Sequence, residues 1–236
     1  MHIKLEVRFP AGEELLAGHI ITPSGETQPR ILFLHGGGES TKERLVPFAI
    51  DLAERGLASF AFDFSGHGQS SGELKASSLS KRTQEATAAL AYLRGPKPYV
   101  VCGSSMGGHI ALELLRTQDI DTLILFAPAM FDRDAFSVPF GCGFTEIIRR
   151  DGSWKRADVL EALERFRGNL LIYVGENDAV IPQGVIELMG SHSPHVRAKE
   201  IIRIPQLGHS IPVWMAEEPE QRKKIVDKLI GVIGTS

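Results

Sequence analysis

The motif that most constrains this chain is Gly103-Ser-Ser105-Met-Gly107, which lies between a predicted strand and a predicted helix. Residues 99–102 form a short apolar run that indicates a buried strand, and apolar residues recur at helical spacing over 110–115. A strand that turns at once into a helix bends so sharply at Ser105 that small neighbours are needed, and Gly103 and Gly107 meet that need. We therefore expect the Ser105 hydroxyl to be exposed at the helix N-terminus, where the helix dipole favours negative charge.

A serine nucleophile needs a base that is itself held by a carboxylate. Asp178 follows a predicted strand at 169–174 and His209 follows the last predicted strand, so the chain order is serine, acid, histidine. A lone Asp or His in such a loop is usually a turn residue, and it is the combination with the sharp turn that favours catalysis. Glu176 is the alternative carboxylate. Ser104 is the alternative serine, one position early and predicted to point back into the fold.

A tetrahedral intermediate on Ser105 also needs hydrogen-bond donors for its oxyanion. The residue after the nucleophile, Met106, supplies one backbone N–H. We expect the second from Gly37, in the glycine run after the strand at 30–35, with Gly38 as a close alternative. The sequence contains no nucleotide-binding glycine pattern and no metal-ligand spacing, so we predict neither a cofactor nor a metal site.

Strands alternate with helices along the chain, which predicts a mostly parallel sheet with helices on both faces. An antiparallel hairpin is predicted at 2–9 and 15–22, followed by buried strands at 30–35, 58–64 and 99–102 and by further strands at 122–126, 169–174 and 198–204. Helices are predicted at 42–56, 79–93, 158–166, 183–190 and 219–233, besides the one after the serine. The alternation breaks at about 130–167, which we interpret as a small cap inserted into a single domain of residues 1–236. Every motif above falls at the carboxyl end of a strand, where the active sites of such sheets lie.

Composition excludes several classes of partner. The formal net charge of −3, without a block of Lys or Arg, gives no electrostatic basis for binding nucleic acid or an anionic membrane surface. Two cysteines do not make a disulfide framework. No apolar run reaches membrane-spanning length and the first residues alternate rather than form a signal core, so we expect a cytoplasmic protein.

Five motifs in order carry a resemblance to a known family, and they cover nearly the whole chain. They are His35-Gly36-Gly37, Asp63-Phe-Ser-Gly66-His67-Gly68-Gln-Ser70, Gly103-Ser-Ser105-Met-Gly107, Gly175-Glu-Asn-Asp178-Ala-Val-Ile-Pro182 and Gly208-His209. The chain resembles the α/β-hydrolase fold family. The resemblance implies an eight-stranded sheet, nucleophile Ser105, acid Asp178, base His209, and oxyanion donors at Gly37 and Met106. It also implies a structural role for Asp63 and for the turn at 66–68.

The short cap resembles those of feruloyl and cinnamoyl esterases and of dienelactone-hydrolase-like proteins. That likeness implies a compact acyl ester as substrate, so we expect a serine carboxylic-ester hydrolase acting on a small molecule. Gly38, Phe136, Phe140 and Phe144 are the predicted substrate contacts. The alternative role for the phenylalanines is to pack the cap onto the sheet, and for most of them that role is favoured. Thioesterase, peptidase and carbon–carbon hydrolase activities fit the same three residues. A non-catalytic ligand-binding protein of this fold is the alternative from another functional class, and the sequence carries no signal for oligomeric state.

Overall fold

The computed structural model describes residues 1–24, 28–93, 95 and 99–233. The strands are β1 (His2–Ala11), β2 (Glu14–Pro23), β3 (Ile31–Leu34), β4 (Ser59–Phe62), β5 (Tyr99–Ser104), β6 (Ile120–Phe126), β7 (Asn169–Gly175) and β8 (Ala198–Ile204). The α-helices are α1 (Val46–Glu54), α2 (Leu79–Leu93), α3 (Met106–Leu114), α4 (Phe144–Ile148), α5 (Val159–Arg165), α6 (Gln183–Ser191), α7 (Ile211–Glu217) and α8 (Pro219–Ile233). Short 3-10 helices lie at Lys42–Leu45, Leu74–Ala76, Arg133–Ala135 and Ser153–Arg156.

The strands form one eight-stranded sheet in the order β1-β2-β4-β3-β5-β6-β7-β8. β1 pairs antiparallel with β2 and β2 antiparallel with β4, and all other pairs are parallel. This topology confirms the predicted α/β-hydrolase fold, with its antiparallel start and its parallel remainder. The segment interpreted as a cap, at about 130–167, lies between β6 and β7. Residues 234–236 of the predicted domain lie outside the described residues.

Side chains of the central strands alternate between two apolar clusters, one on each face of the sheet. On β3, Leu32 and Leu34 join the cluster that contains buried residues of α2, α3, α5, α6 and the cap. Ile31 and Phe33 join the cluster formed with α1, α7 and α8. Because both faces are covered, these strands are continuous apolar runs in the sequence, and helices lie on both faces as predicted.

Two features of the fold differ from the sequence predictions. The alternation at 2–9 predicts one half-buried face, but Ile3 and Leu5 are 43% and 49% exposed, because only the end of β1 near Phe9 lies over the helical layer. Helices α4 and α7 were not predicted. They are only 5 and 7 residues long, so the apolar residues in each are too few to show a helical periodicity. Within the part of the chain that the structure describes, no helix is both long and apolar enough to span a membrane.

The buried carboxylate of Asp63 ties the turn after β4 to the start of the helical segment at 42–54. Its Oδ1 accepts from the backbone N–H of Lys42 at 2.8 Å, and its Oδ2 accepts from Lys42 Nζ at 2.7 Å and from the N–H of Gln69 at 3.2 Å. A Cβ on Gly68, where φ is +49°, would lie 2.1 Å from Oδ2 of Asp63. The geometry agrees with the structural role that the resemblance implies for this turn.

We expect Asp63→Asn to lower the free energy of unfolding by roughly 3–5 kcal/mol, since it removes the nearer carboxylate of the buried Lys42 ammonium and leaves only the half-exposed Glu43 at 3.5 Å. Burial alone would raise the pKa of Asp63, but hydrogen bonds from Lys42 outweigh it and hold the pKa below its usual range. The stabilisation is therefore complete above the unfolded pKa of about 4 and disappears as the pH falls through the lower folded pKa. Urea unfolding of wild type and Asp63→Asn, from neutral pH to below the folded pKa of Asp63, measures this.

The double variant Lys42→Met/Asp63→Leu is the control, because it removes both charges and should cost much less than the single change. Equal stability of wild type and Asp63→Asn at pH 7 would contradict the assignment.

Candidate active site

Ser105 lies at the junction of β5 and α3 with φ +52° and ψ −115°, a conformation that few residues other than glycine adopt. Such a backbone costs of order 1–3 kcal/mol and persists only where its surroundings impose it. Here the Ser105 N–H donates to the carbonyl of Phe126 at 2.9 Å. The Ser105 carbonyl accepts from the N–H groups of Gly108 and Ala129 at 2.9 and 3.0 Å. The strained turn is thus fixed by backbone hydrogen bonds to β6 and to the chain that follows it.

The glycines on both sides of Ser105 are required by close backbone approach. A Cβ on Gly103 would lie 2.4 Å from the carbonyl oxygen of Gly107. A Cβ on Gly107 would lie 2.3 Å from the carbonyl oxygen of Leu34 in β3. Neither position has room for a side chain, as predicted from the motif.

The structure brings Ser105, His209 and Asp178 together at the carboxyl edge of the sheet. His209 Nε2 is 3.0 Å from Ser105 Oγ, and His209 Nδ1 is 2.9 Å from Asp178 Oδ2. The other carboxylate oxygen, Oδ1, accepts from the N–H groups of Val180 and Ile181 at 2.8 and 3.0 Å. With its proton on Nδ1, the imidazole presents Nε2 to the serine hydroxyl as an acceptor. The side chain of Asp178 is 2% exposed and that of His209 is 24% exposed.

Backbone packing between the turn after β7 and the loop after β8 holds the acid near the histidine. The N–H of Asn177 donates to the carbonyl of Leu207 at 2.8 Å. A Cβ on Gly175 would lie 2.2 Å from that same carbonyl oxygen. Of the two candidate acids, Asp178 is the one whose carboxylate faces His209, whereas Glu176 is exposed.

The predicted oxyanion residues adjoin Ser105 from two directions. Met106 is the first residue of α3, so its N–H has no partner within the helix. In the loop after β3, a Cβ on Gly36 would lie 3.4 Å from Ser105 Cβ, and a Cβ on Gly37 would lie 3.4 Å from Met106 Cε. Gly38 is exposed with φ +63°, and a Cβ on it would meet no atom within 4 Å, so it faces away from this contact.

A buried histidine orients the peptide that carries the Gly37 N–H. His35 Nδ1 is 2.7 Å from the carbonyl oxygen of Gly36, and His35 Nε2 accepts from the N–H of Phe64 at 3.0 Å. Burial, with the nearby charge of Arg82, lowers the pKa of His35 to about 3, so the ring is neutral at physiological pH. Because the C=O and N–H of one peptide point in opposite directions, the contact with the Gly36 carbonyl fixes the direction of the Gly37 N–H.

Arg82 is the residue near the site that the sequence analysis missed. It is fully buried, with Nη1 3.0 Å from Met106 Sδ and Nη2 in contact with Nε2 of His67. Nδ1 of His67 is 3.0 Å from the carbonyl oxygen of Ser40. The available signal was periodicity, since Arg82 occupies the apolar face of α2 together with Leu79.

The cap lies against the segment that leads into α2. The N–H of Phe140 donates to Ser77 O at 2.9 Å, and the N–H of Ser80 donates to Phe136 O at 2.9 Å. Phe140 and Phe144 pack edge to face with ring centres 4.7 Å apart. Phe136 lines a cleft of about 390 Å³ beside α3, together with His109. Neither the cleft lining nor the ring contacts include Ser105, so substrate contact by the three phenylalanines and by Gly38 stays a prediction.

Among the described residues, no group of three or more His, Cys, Asp or Glu side chains is placed to hold a metal ion. The cysteines of the chain are free thiols, with Cys102 buried in β5 and Cys142 exposed in the cap. The site described above combines a hydroxyl, an imidazole, a carboxylate and backbone donors. Together these groups can carry out nucleophilic acyl transfer.

A family model for hydrolases, described as serine aminopeptidase, S33, matches residues 25–149, a little over half of the chain. The chain is also similar to the quorum-quenching protein AidA of Acinetobacter baumannii, with 29% identity over 111 residues. That match covers 44% of this chain and only 36% of AidA.

Several solved structures share the fold over nearly the whole chain. An esterase of Pyrococcus furiosus has a TM-score of 0.74 at 20% identity, covering 97% of this chain and 91% of its own. Est1E of Butyrivibrio proteoclasticus, with ferulic acid bound, has a TM-score of 0.73 at 18% identity, covering 95% and 99%. A predicted CIB-like hydrolase of Thermoplasma acidophilum has a TM-score of 0.70 at 19% identity, covering 97% and 99%. At such identities the likeness shows the fold alone.

We expect Gly107→Ala to lower the free energy of unfolding by about 1–3 kcal/mol or more, since the new methyl group would overlap the carbonyl of Leu34. Gly231→Ala in α8 is the matched control. A Cβ there meets no atom within 4 Å, and alanine favours helix, so its stability should rise by up to about 1 kcal/mol. Urea unfolding measures both, and equal stability of the two variants would show that the approach to β3 is not tight.

Proposed function

From the premise that the chain belongs to the serine aminopeptidase S33 family of α/β hydrolases, we propose that it is a serine hydrolase that cleaves carboxylic esters of small or aromatic acyl groups. The observation that carries the proposal is the pair of hydrogen bonds that joins Ser105 to His209 and His209 to Asp178. An unactivated serine hydroxyl is a weak nucleophile, and a hydroxyl held at 3.0 Å from an imidazole nitrogen has its base in place.

In the proposed reaction, Ser105 Oγ attacks the ester carbonyl carbon while its proton passes to His209 Nε2. Asp178 stabilises the imidazolium through Nδ1. The carbonyl oxygen becomes an oxyanion that accepts from the N–H groups of Met106 and Gly37. The alcohol then leaves with the proton from His209, and an acyl group remains on Ser105. Water, deprotonated by His209, attacks this acyl-enzyme and releases the acid, and Ser105 recovers its proton.

Two observations support an ester substrate with a small or aromatic acyl group: the similar solved structures and the cap. Two of the similar structures are esterases or carry ferulic acid, an aromatic acid. The cap is short, and its Phe140 packs against both Phe144 and the buried guanidinium of Arg82. An aromatic wall of this kind suits a compact acyl group better than a long chain.

Peptide hydrolysis is the second candidate, because the matching family model is described by an aminopeptidase activity. The same nucleophile, base and oxyanion donors serve an amide, with His209 protonating the leaving amine. A similar structure is the thioesterase domain of the curacin pathway, with a TM-score of 0.70 at 16% identity, so a thioester panel belongs in the same experiment.

We expect Ser105→Ala to lower kcat/KM for p-nitrophenyl acetate and methyl ferulate by about 10⁴-fold or more, because the nucleophile is lost. Ser104→Ala is the matched control, since it removes the neighbouring hydroxyl without removing the nucleophile, and it should retain activity. The same assay over p-nitrophenyl esters of increasing chain length, aminoacyl p-nitroanilides and acyl thioesters ranks the substrate classes.

Unchanged ester turnover in Ser105→Ala would contradict the proposal. Wild-type protein that hydrolyses amides or thioesters but no ester would replace it with one of the other two activities. Failure of a phosphonate to label Ser105, with no turnover of any substrate, would favour a ligand-binding protein of this fold.

A further inference from the structure

Arg82 is a buried cation whose surroundings do not neutralise it at close range. Its guanidinium lies between the rings of Phe64 and Phe140, 4.9 Å from each centre. Its Nε has no hydrogen-bond partner, and no carboxylate among the described residues lies within ion-pair distance. Burial lowers the pKa of Arg82 to about 10 and Glu85 acts against that shift, so the side chain stays charged at neutral pH. A charge buried without a close partner is costly, which calls for a reason beyond packing.

The guanidinium contacts Met106 directly and approaches Gly37 only through that residue. Nη1 lies 3.0 Å from Met106 Sδ, and a Cβ on Gly37 would lie 3.7 Å from that same sulfur. The Met106 side chain therefore lies between the positive charge and Gly37, and a charge acts more strongly on nearby dipoles in a medium that excludes water than it does in water.

The second contact of Arg82 reaches the glycine loop through two histidines. Nη2 meets His67 Nε2, and His67 packs edge to face on His35 with ring centres 4.7 Å apart. His35 in turn holds the carbonyl of Gly36. The contact with Arg82 requires that Nε2 of His67 is unprotonated, and burial together with the charge of Arg82 lowers the pKa of His67 to about 4.

We propose that Arg82 is a positioning residue of the oxyanion site, which holds Met106 and the glycine loop in place and adds a fixed positive field behind their N–H groups. It does this without touching the substrate, because Met106 and His67 stand between. The inference rests on the proposed function, since it concerns the oxyanion formed at Ser105. It adds a residue to the site that neither the sequence motifs nor the family match identifies.

The test compares Arg82→Met, which keeps length and apolarity, with Arg82→Lys, which keeps the charge. For p-nitrophenyl acetate we expect Arg82→Met to lower kcat about 10- to 100-fold with KM within about threefold, less than the loss of a direct oxyanion donor. Arg82→Lys should recover part of that loss, because its ammonium restores the field but not the planar contacts.

A trifluoromethyl ketone separates a loss of oxyanion stabilisation from general damage. Ser105 Oγ adds to its carbonyl carbon, the hydroxyl proton passes to His209, and the carbonyl oxygen becomes an anion. The inhibition constant of the ketone should rise in Arg82→Met by the factor by which kcat falls, while binding of the corresponding alcohol, which forms no anion, stays unchanged.

Arg222→Met is the matched control, since Arg222 is also buried but lies on α8, paired with Asp51 at 2.8 Å. It should lower Tm and leave kcat within about twofold. Activity losses that follow Tm equally in Arg82→Met and Arg222→Met would overturn the proposal. A loss confined to KM for carboxylate-bearing esters would also overturn it and assign the charge to substrate recognition.

Histidine NMR provides a readout that needs no turnover. Removal of the adjacent positive charge should raise the pKa of His67 from its value of about 4, since protonation is then less opposed. An unchanged His67 titration in Arg82→Met would contradict the contact itself. Wild-type protein without ester turnover would contradict the proposed function instead, and the titration would still decide whether Arg82 acts on His67.

Discussion

The close approach of the β5–α3 turn to strand β3 is the constraint on which the rest of the site depends. Gly107 lies against the carbonyls of Leu34 and His35 so tightly that no side chain fits between them. This contact brings the start of α3 and the end of β3 to one point of the sheet edge. The serine hydroxyl, the first N–H of the helix and the glycine loop therefore lie next to one another at this edge of the sheet. The close approach strains the backbone at Ser105, and hydrogen bonds to β6 and to residue 129 hold this strained conformation.

Charge is distributed unevenly around this point. On one side, the carboxylate of Asp178 uses one oxygen for two backbone N–H groups and the other for His209. On the opposite side, two neutral histidines separate a buried arginine from the glycine loop. In the proposed reaction, the oxyanion would lie against backbone donors and the buried charge of Arg82, and the imidazolium of His209 would lie against Asp178. Each of the two charges that the proposed acyl transfer creates would then be matched by a group fixed before the reaction begins.

Much of this arrangement could be predicted from the sequence, because it depends on local signals. Gly103 and Gly107 mark the turn. The serine, the acid and the histidine each follow a strand, and apolar runs in the sequence identify those strands. The structure brings those three side chains into hydrogen-bond distance. Arg82 could not be predicted in the same way, because its burial depends on Phe140 from the cap, which is distant in sequence. The exposure of Ile3 and Leu5 also escaped prediction, since alternation shows that a strand has two faces but not which neighbours cover them.

The hydrogen bonds of the site join parts of the chain that are made at very different times. Ser105 and His209 are 104 residues apart, and Asp178 and His209 are 31 apart. A growing polypeptide that has completed α6 already contains Ser105 and Asp178, but not His209, which is the base of the proposed reaction. In that proposal, Ser105 gains its base only when β8 has docked on β7 and the following loop has folded over. Hydrolytic activity that depends on His209 would therefore report that the part of the chain after α6 has reached its place.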